Sequence, residues 1–374
     1  VGSLAGSNIT SGGYNTIMGA AAGDAITTGA NNTSTGAYSL SGNTTGTNNS
    51  AFGKDSMLAN TTASYNSGFG KSTLKANTTG HNHTAAGYEA LKANTTGTHN
   101  TALGSTALLA NTTGGASVAV GSRALETCTT GSSNTAVGYR ALLDSTTASH
   151  NTAVGRDAAT NITDGEYNVA IGSMAQEVNI GGDHNVAVGY ASLINMHAVQ
   201  NTAVGSNSLY SNTSGNNNTA IGYNAGYTTT GGSYNIFIGR AAYASSATAG
   251  NQCTLGDSNI TNLRCNDTSI SSLSDERDKT NIIDLPLGLN FLKTVRPVAF
   301  DWNCREDNES LELHGNMNVT KAGKKDFGFI AQELKTASDA TDYADYMRLV
   351  GEDNPNRLEA DPMKMFPILI KAIQ

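Results

Sequence analysis

Residues 134–155 read NTAVGYRALLDSTTASHNTAVG, and the five letters that open the stretch return seventeen residues later. Working outward from this pair, glycine falls at 2, 19, 36, 53, 70, 87, 104, 121, 138, 155, 172, 189, 205, 222, 239 and 256. These are sixteen marks at a period of seventeen, broken once by a one-residue deletion between Gly189 and Gly205. Asparagine stands four residues before most marks, as at Asn66, Asn100, Asn134 and Asn151, with His83, Ser117 and Gln252 as exceptions. A period this short is less than a two-helix repeat needs, and it suits a β-solenoid or β-roll in which one repeat is one coil.

The local chemistry agrees. NTAVG, NVAIG and NIFIG alternate with a period of two, and an apolar residue precedes the glycine. A second short segment follows, as in YRALL, STALL and YEALK, and then a polar turn. In five successive coils that turn contains NTT, beginning at Asn43, Asn60, Asn77, Asn94 and Asn111. Gly, Asn, Ser and Thr are expected to supply the positive φ and local hydrogen bonds of the corners. Each coil offers only two or three apolar side chains, so a single roll has a thin core and much surface. Lateral association would cover that deficit, which predicts a homotrimer of parallel rolls. Coils stacked at about 4.8 Å then give a rod on the order of 75 Å long.

Composition sets outer bounds. The chain has 374 residues, a net charge of −8, 42 Gly and only 5 Pro, and no apolar run long enough to span a membrane. With no Lys/Arg stripe, nucleic acid is not an expected partner. Cys128, Cys253, Cys265 and Cys304 lack metal-ligand or disulfide-framework spacing, so isolated thiols are expected, with no metal and no cofactor. The sequence opens inside a repeat and stops inside the apolar stretch PILIKAIQ, so both ends are expected to continue in the full protein.

Charge then divides the chain: 18 charged residues lie in 1–256 and 34 in 257–374, and every proline follows position 285. The expected organisation is a repeat shaft over 1–256, a neck over 257–273 and a small α+β domain over 274–374. The NTAVG repeats resemble the head repeats of trimeric autotransporter adhesins and of phage tail fibres, which form trimeric β-rolls.

Reaction chemistry is suggested at one place, SDERDKTNI, residues 274–282. A serine hydroxyl attacks a carbonyl only if its proton is removed, and a lysine amine does this when burial lowers its pKa from about 10.4. Ser274 and Lys279 are the candidates. The plainer reading is that Ser274 caps a helix and the charges form a solvated surface. RPVAFDW reads as a strand, GFIAQELKTA and DPMKMFPILIKAIQ as helices, and Asp361 before Pro362 as an N-cap.

SDERDKTNI is followed in order by LGLNFLKTVRPVAFDW, FGFIAQEL and MFPILIKAIQ. This series closely resembles the C-terminal intramolecular chaperone of phage endosialidases and tail fibres, a self-cleaving serine peptidase family that includes the myelin regulatory factor. The resemblance implies a Ser-Asp-x-Arg-x-Lys motif on Ser274, Asp275, Arg277 and Lys279, with Ser274 as nucleophile and Lys279 as base. It also implies a scissile bond from Leu273 to Ser274 and no cofactor. The family segment Gly-Phe-Ile-Ala-Gln-Glu falls on residues 328–333, where Gln332 and Glu333 are expected to support packing of a strand-to-helix corner.

A roll built of identical coils slips by one unit at little local cost, so register is its folding hazard. A C-terminal domain that trimerises first would hold three chain ends level. The expectation is a trimeric viral tail fibre or spike in the virion, with a host-surface glycan or protein as receptor and other tail proteins beyond the N-terminal end. A cellular surface adhesin and a polysaccharide-cleaving tailspike are the rivals; the second needs paired carboxylates, and the repeats are poor in Asp and Glu. Tyr88, Tyr139, Tyr190 and Tyr223, just after their glycine marks, read as sugar contacts or as packing within the ladder of coils. The Asn-x-Ser/Thr triplets at Asn43 and Asn60 read as turns, or as glycan acceptors if a eukaryotic secretory pathway makes the protein.

Overall fold

The computed structural model describes residues 2–260, 262–264, 275–301, 325–352 and 358–374. The chain forms two compact units, Val1–Leu255 and Gly256–Gln374. In the first, fifteen three-residue strands, from Thr16–Met18 to Cys253–Leu255, make one parallel sheet in chain order. The opening NTAVG pair lies in it with Thr135 opposite Thr152, Ala136 opposite Ala153 and Val137 opposite Val154. Each coil thus contributes one strand. Fifteen strands at about 4.8 Å span about 70 Å.

The deletion leaves the sheet undisturbed, since Val186, Ala187 and Val188 still face Thr202, Ala203 and Val204. It is absorbed in the turn, where Asn185 reaches thirteen residues ahead to the Ala198 carbonyl while Asn168 reaches fourteen, to Gly182. Here an extra two-stranded pair appears, Val178–Asn179 with Asn195–Met196.

The thin core of each coil is built mainly of Ala and Leu. The middle residue of each strand points inward, so Ala102, Ala119, Ala136 and Ala153 are fully buried while both flanking residues point outward. Val154 and Ile171, just before their glycines, are therefore 36 % and 41 % exposed. The interior is completed by Leu91, Leu108, Leu125 and Leu142, all fully buried.

The corners correct the sequence reading. Left-handed backbone falls mostly on non-glycine residues, including those buried leucines: Leu142 has φ 52° and Leu125 φ 53°. Placing leucine there costs about 1–2 kcal/mol, and full burial of the side chain contributes about 1.5–3 kcal/mol, so burial wins. The glycine marks have a different cause. Gly138 has φ 139°, and a Cβ on it would stand 2.3 Å from the Gly155 carbonyl oxygen of the next coil. Successive coils leave no room for a side chain here.

Buried asparagines stitch coil to coil. The backbone N–H of Asn151 donates to Asn134 Oδ1 at 3.0 Å, and Asn151 Nδ2 donates to the Gly165 carbonyl at 2.8 Å. A second ladder runs through the NTT turns, where Asn60 Nδ2 donates to Asn43 Oδ1 at 2.8 Å and to the Ala63 carbonyl at 3.1 Å. Asn43 and Asn60 are fully buried, which favours the turn reading of these triplets over glycan acceptors.

The second unit is small. Strand Val298–Asp301 pairs antiparallel with Lys325–Gly328, and helix Ala331–Asp339 follows. Its core is Leu287, Phe291, Leu334, Met347, Leu349, Met365 and Ile368. The C-terminal stretch begins as a 3-10 turn, Pro362–Met365, and continues as helix Phe366–Ile373. Asp361 stands at its start but makes no side-chain cap; its carboxylate lies 3.5 Å from Lys364 Nζ. Among the described residues no helix is long and apolar enough to cross a membrane.

Candidate active site

Asp275, Glu276 and Arg277 open the described part of the candidate segment. A 3-10 turn spans Glu276–Asp278, and its cap is Asp275, one residue after the expected Ser274. The Asp275 carboxylate accepts from the Arg277 backbone N–H at 2.9 Å, from Nε at 3.0 Å and from Nη2 at 2.6 Å. This guanidinium holds the Asp275 carboxyl below the usual range. Two motif residues therefore fasten each other and set the turn. Lys279 leaves the turn in extended conformation, its N–H donating to the Glu276 carbonyl at 3.1 Å, and its side chain is exposed. Leu273 and Ser274 lie outside the described residues, as do Cys265 and Cys304.

Gln332 and Glu333 sit in the first turn of helix Ala331–Asp339, and both are exposed. Gln332 is engaged through its backbone carbonyl, which accepts from Thr336 Oγ1 at 2.9 Å. Glu333 forms a two-pronged ion pair with Arg296, Nε to Oε2 at 3.0 Å and Nη2 to Oε1. The arginine depresses the Glu333 carboxyl, and the helix start favours the same negative charge. Arg296 was not a candidate from the sequence: it stands 37 residues from its partner, so no local spacing announces the pair. The Arg-Pro step before a strand was the one signal available. The pair ties the segment leading into Val298–Asp301 to the helix after Gly328. Strand Lys325–Gly328 gives way to helix Ala331–Asp339 at this point.

Of the other residues singled out, Cys128 is buried, with burial pushing its thiol up to about 11, and Cys253 is exposed. Among the described residues no three His, Cys, Asp or Glu side chains form a metal-holding group. Tyr88 and Tyr139 are partly covered by cations, Lys71 Nζ at 5.6 Å and Arg140 Cζ at 6.0 Å from the ring centres. Ring stacking along the roll is made by other residues, notably His150, Tyr167 and His184, spaced 4.9 and 5.0 Å. Two concavities lie among the described residues, a shallow groove lined by Leu58, Lys75, Lys92 and Leu109 and a cleft lined by Lys335, Asp339, Arg348 and Glu352. Neither includes Lys279.

The fold defines a class: a β-solenoid followed by a small α+β terminal domain. Residues 274–343 match the family model described as chaperone of endosialidase, and the match begins at Ser274. The chain is thus similar to tail fibre-like proteins that carry a C-terminal chaperone domain. It matches no curated protein and no solved structure.

Proposed function

We propose that this chain is the shaft of a trimeric viral tail fibre or spike, divided into shaft 1–256, neck 257–273 and chaperone 274–374. The observation that carries the reading is the match at residues 274–343, following in the chain a roll whose strands pair identically from coil to coil. Such pairing holds neighbouring coils together but contains little to tell three chains at which level to meet. The terminal domain supplies the level by assembling first, and the coils then zip from the neck toward the N-terminal end. Its own core is small, and Phe327, Met363, Phe366 and Ile373 are exposed, as in a surface that other copies cover.

After assembly the domain cuts itself away. Ser274 Oγ attacks the Leu273 carbonyl carbon while Lys279 takes the hydroxyl proton and passes it to the departing amide nitrogen. The Leu273–Ser274 peptide becomes an ester, and water hydrolyses it to a Leu273 carboxylate and a fragment with Ser274 at its N-terminus. Because Lys279 is exposed in the single chain, exclusion of water around it falls to neighbouring copies. Cleavage thereby follows assembly. Removal of the guide leaves a rod whose persistence is kinetic. The rod acts at the virion surface, attaching to a host glycan or protein, with other tail proteins at its far end.

Wild type and Ser274→Ala, run side by side on a denaturing gel, test the reading. The wild type is expected to split into fragments ending at Leu273 and beginning at Ser274, and the variant to stay whole. A full-length wild type, or a variant that still splits there, overturns the catalytic assignment.

A further inference from the structure

The outer face of the long sheet carries two columns of side chains, from the first and third residues of every strand. The first column is mostly threonine. The third is apolar along nearly its whole length, with Met18, Phe52, Leu103, Val154, Ile171 and Leu255 among its members. Their exposure runs from 36 % at Val154 to 51 % at Met18, and Phe52 and Phe69 stack at 5.1 Å. None of the residues in these fifteen strands is charged, although 18 charged residues occur within 1–256. The charges are confined to the turns.

A parallel sheet is ordinarily covered on both faces, and this one is covered by its own coil on the inner face only. Three residues at about 3.3 Å make the outer face about 10 Å wide, and fifteen strands make it about 70 Å long. The resulting area of about 700 Å² is close to the ~800 Å² per partner of a stable protein interface. Its apolar column makes up about half of that area, on the order of 350 Å², the size of the largest and often functional apolar patch on a monomer, and the whole strip is free of charge. Its lack of charge also lets two like faces meet without repulsion, which the turns, with their mixed charges, do not offer.

We infer that this face is where further copies of the same chain seat, their ladders parallel and level. The inference rests on the self-assembly proposed above and names its surface. Level packing brings each ladder residue beside the same residue of the other copies. It also brings together the exposed Cys253, which ends the first column.

That cysteine provides the test. In the full chain carrying Cys265→Ser and Cys304→Ser, a bis-maleimide spanning about one strand-face width is expected to join chains at Cys253, and adding Cys253→Ser abolishes the product. Independently, Ile171→Glu with Ile221→Glu is expected to lower the sedimentation mass to that of one chain while the β signal persists. Lys92→Glu, in a turn, leaves the mass unchanged. If the wild type is itself a single chain, self-assembly fails as a whole. If the wild type assembles, the charged ladder leaves its mass intact and Cys253 does not crosslink, the face belongs to another occupant and this assignment alone is overturned. Should the doubly charged variant not fold, crosslinking on the unmodified ladder decides.

Discussion

His83 occupies a rung that asparagine holds in the coils on either side, and it reproduces the amide with an imidazole. Its backbone N–H donates to Asn66 Oδ1 at 3.0 Å, Nδ1 accepts from the Asn100 N–H at 3.2 Å, and Nε2 donates to the Gly97 carbonyl at 2.7 Å. These partners select the neutral ring, because a second proton on Nδ1 would face the Asn100 N–H. Burial, chiefly, pushes its pKa from 6.5 down to about 4, with His81 and His99 adding to the effect. Between those values the unfolded chain binds the extra proton and the folded one does not. Stability is therefore complete above about pH 6.5 and falls by on the order of 3 kcal/mol as pH drops toward 4. His83→Asn is expected to remove this component. Urea midpoints at pH 7 and pH 4.5 check it, and an equal acid loss in variant and wild type would refute it.

At the scale of the element, the NTT ladder stops at Cys128. Asn111 still donates to Asn94 Oδ1 and to the Gly114 carbonyl, but its own Oδ1 is buried with no partner. The Cys128 thiol points instead to the Gly131 carbonyl at 3.6 Å. Cys128→Asn extends the ladder by one rung and satisfies that oxygen, so it is expected to stabilise the roll by about 1 kcal/mol or more. A raised thermal midpoint is the sign, and an unchanged or lowered one counts against it. Coils and their period were legible in the sequence because each coil repeats the same steric and hydrogen-bonding problem. Which side of each strand faces inward was not. Alternation names two faces without saying which is covered, and the larger Val and Ile side chains went to the open one.

At the scale of the whole molecule, little distinguishes one coil from the next except the shortened coil after Gly189 and its extra strand pair. Assembly without the terminal domain is consequently expected to give chains at mixed levels. A chain ending at residue 256 should form heterogeneous aggregates on refolding from urea, whereas the full chain kept uncut by Ser274→Ala refolds to one species. Size-exclusion profiles of the two distinguish the outcomes, and a single homogeneous assembly from the truncated chain contradicts the proposed role. The domain itself was recognisable from four motifs in order, of which two, around Asp275–Arg277 and around Glu333, are visible as ion-paired corners.

The amino-acid sequence by itself determined the period, the coil and the recurring glycine and asparagine positions, because these repeat at a fixed spacing. It also marked the terminal domain through local motifs. Tertiary structure alone decided that leucine takes the left-handed corners, that Arg296 closes on Glu333 and that the apolar ladder lies outside. Each of those outcomes depends on which groups the fold removes from water, and that is settled only when distant segments meet.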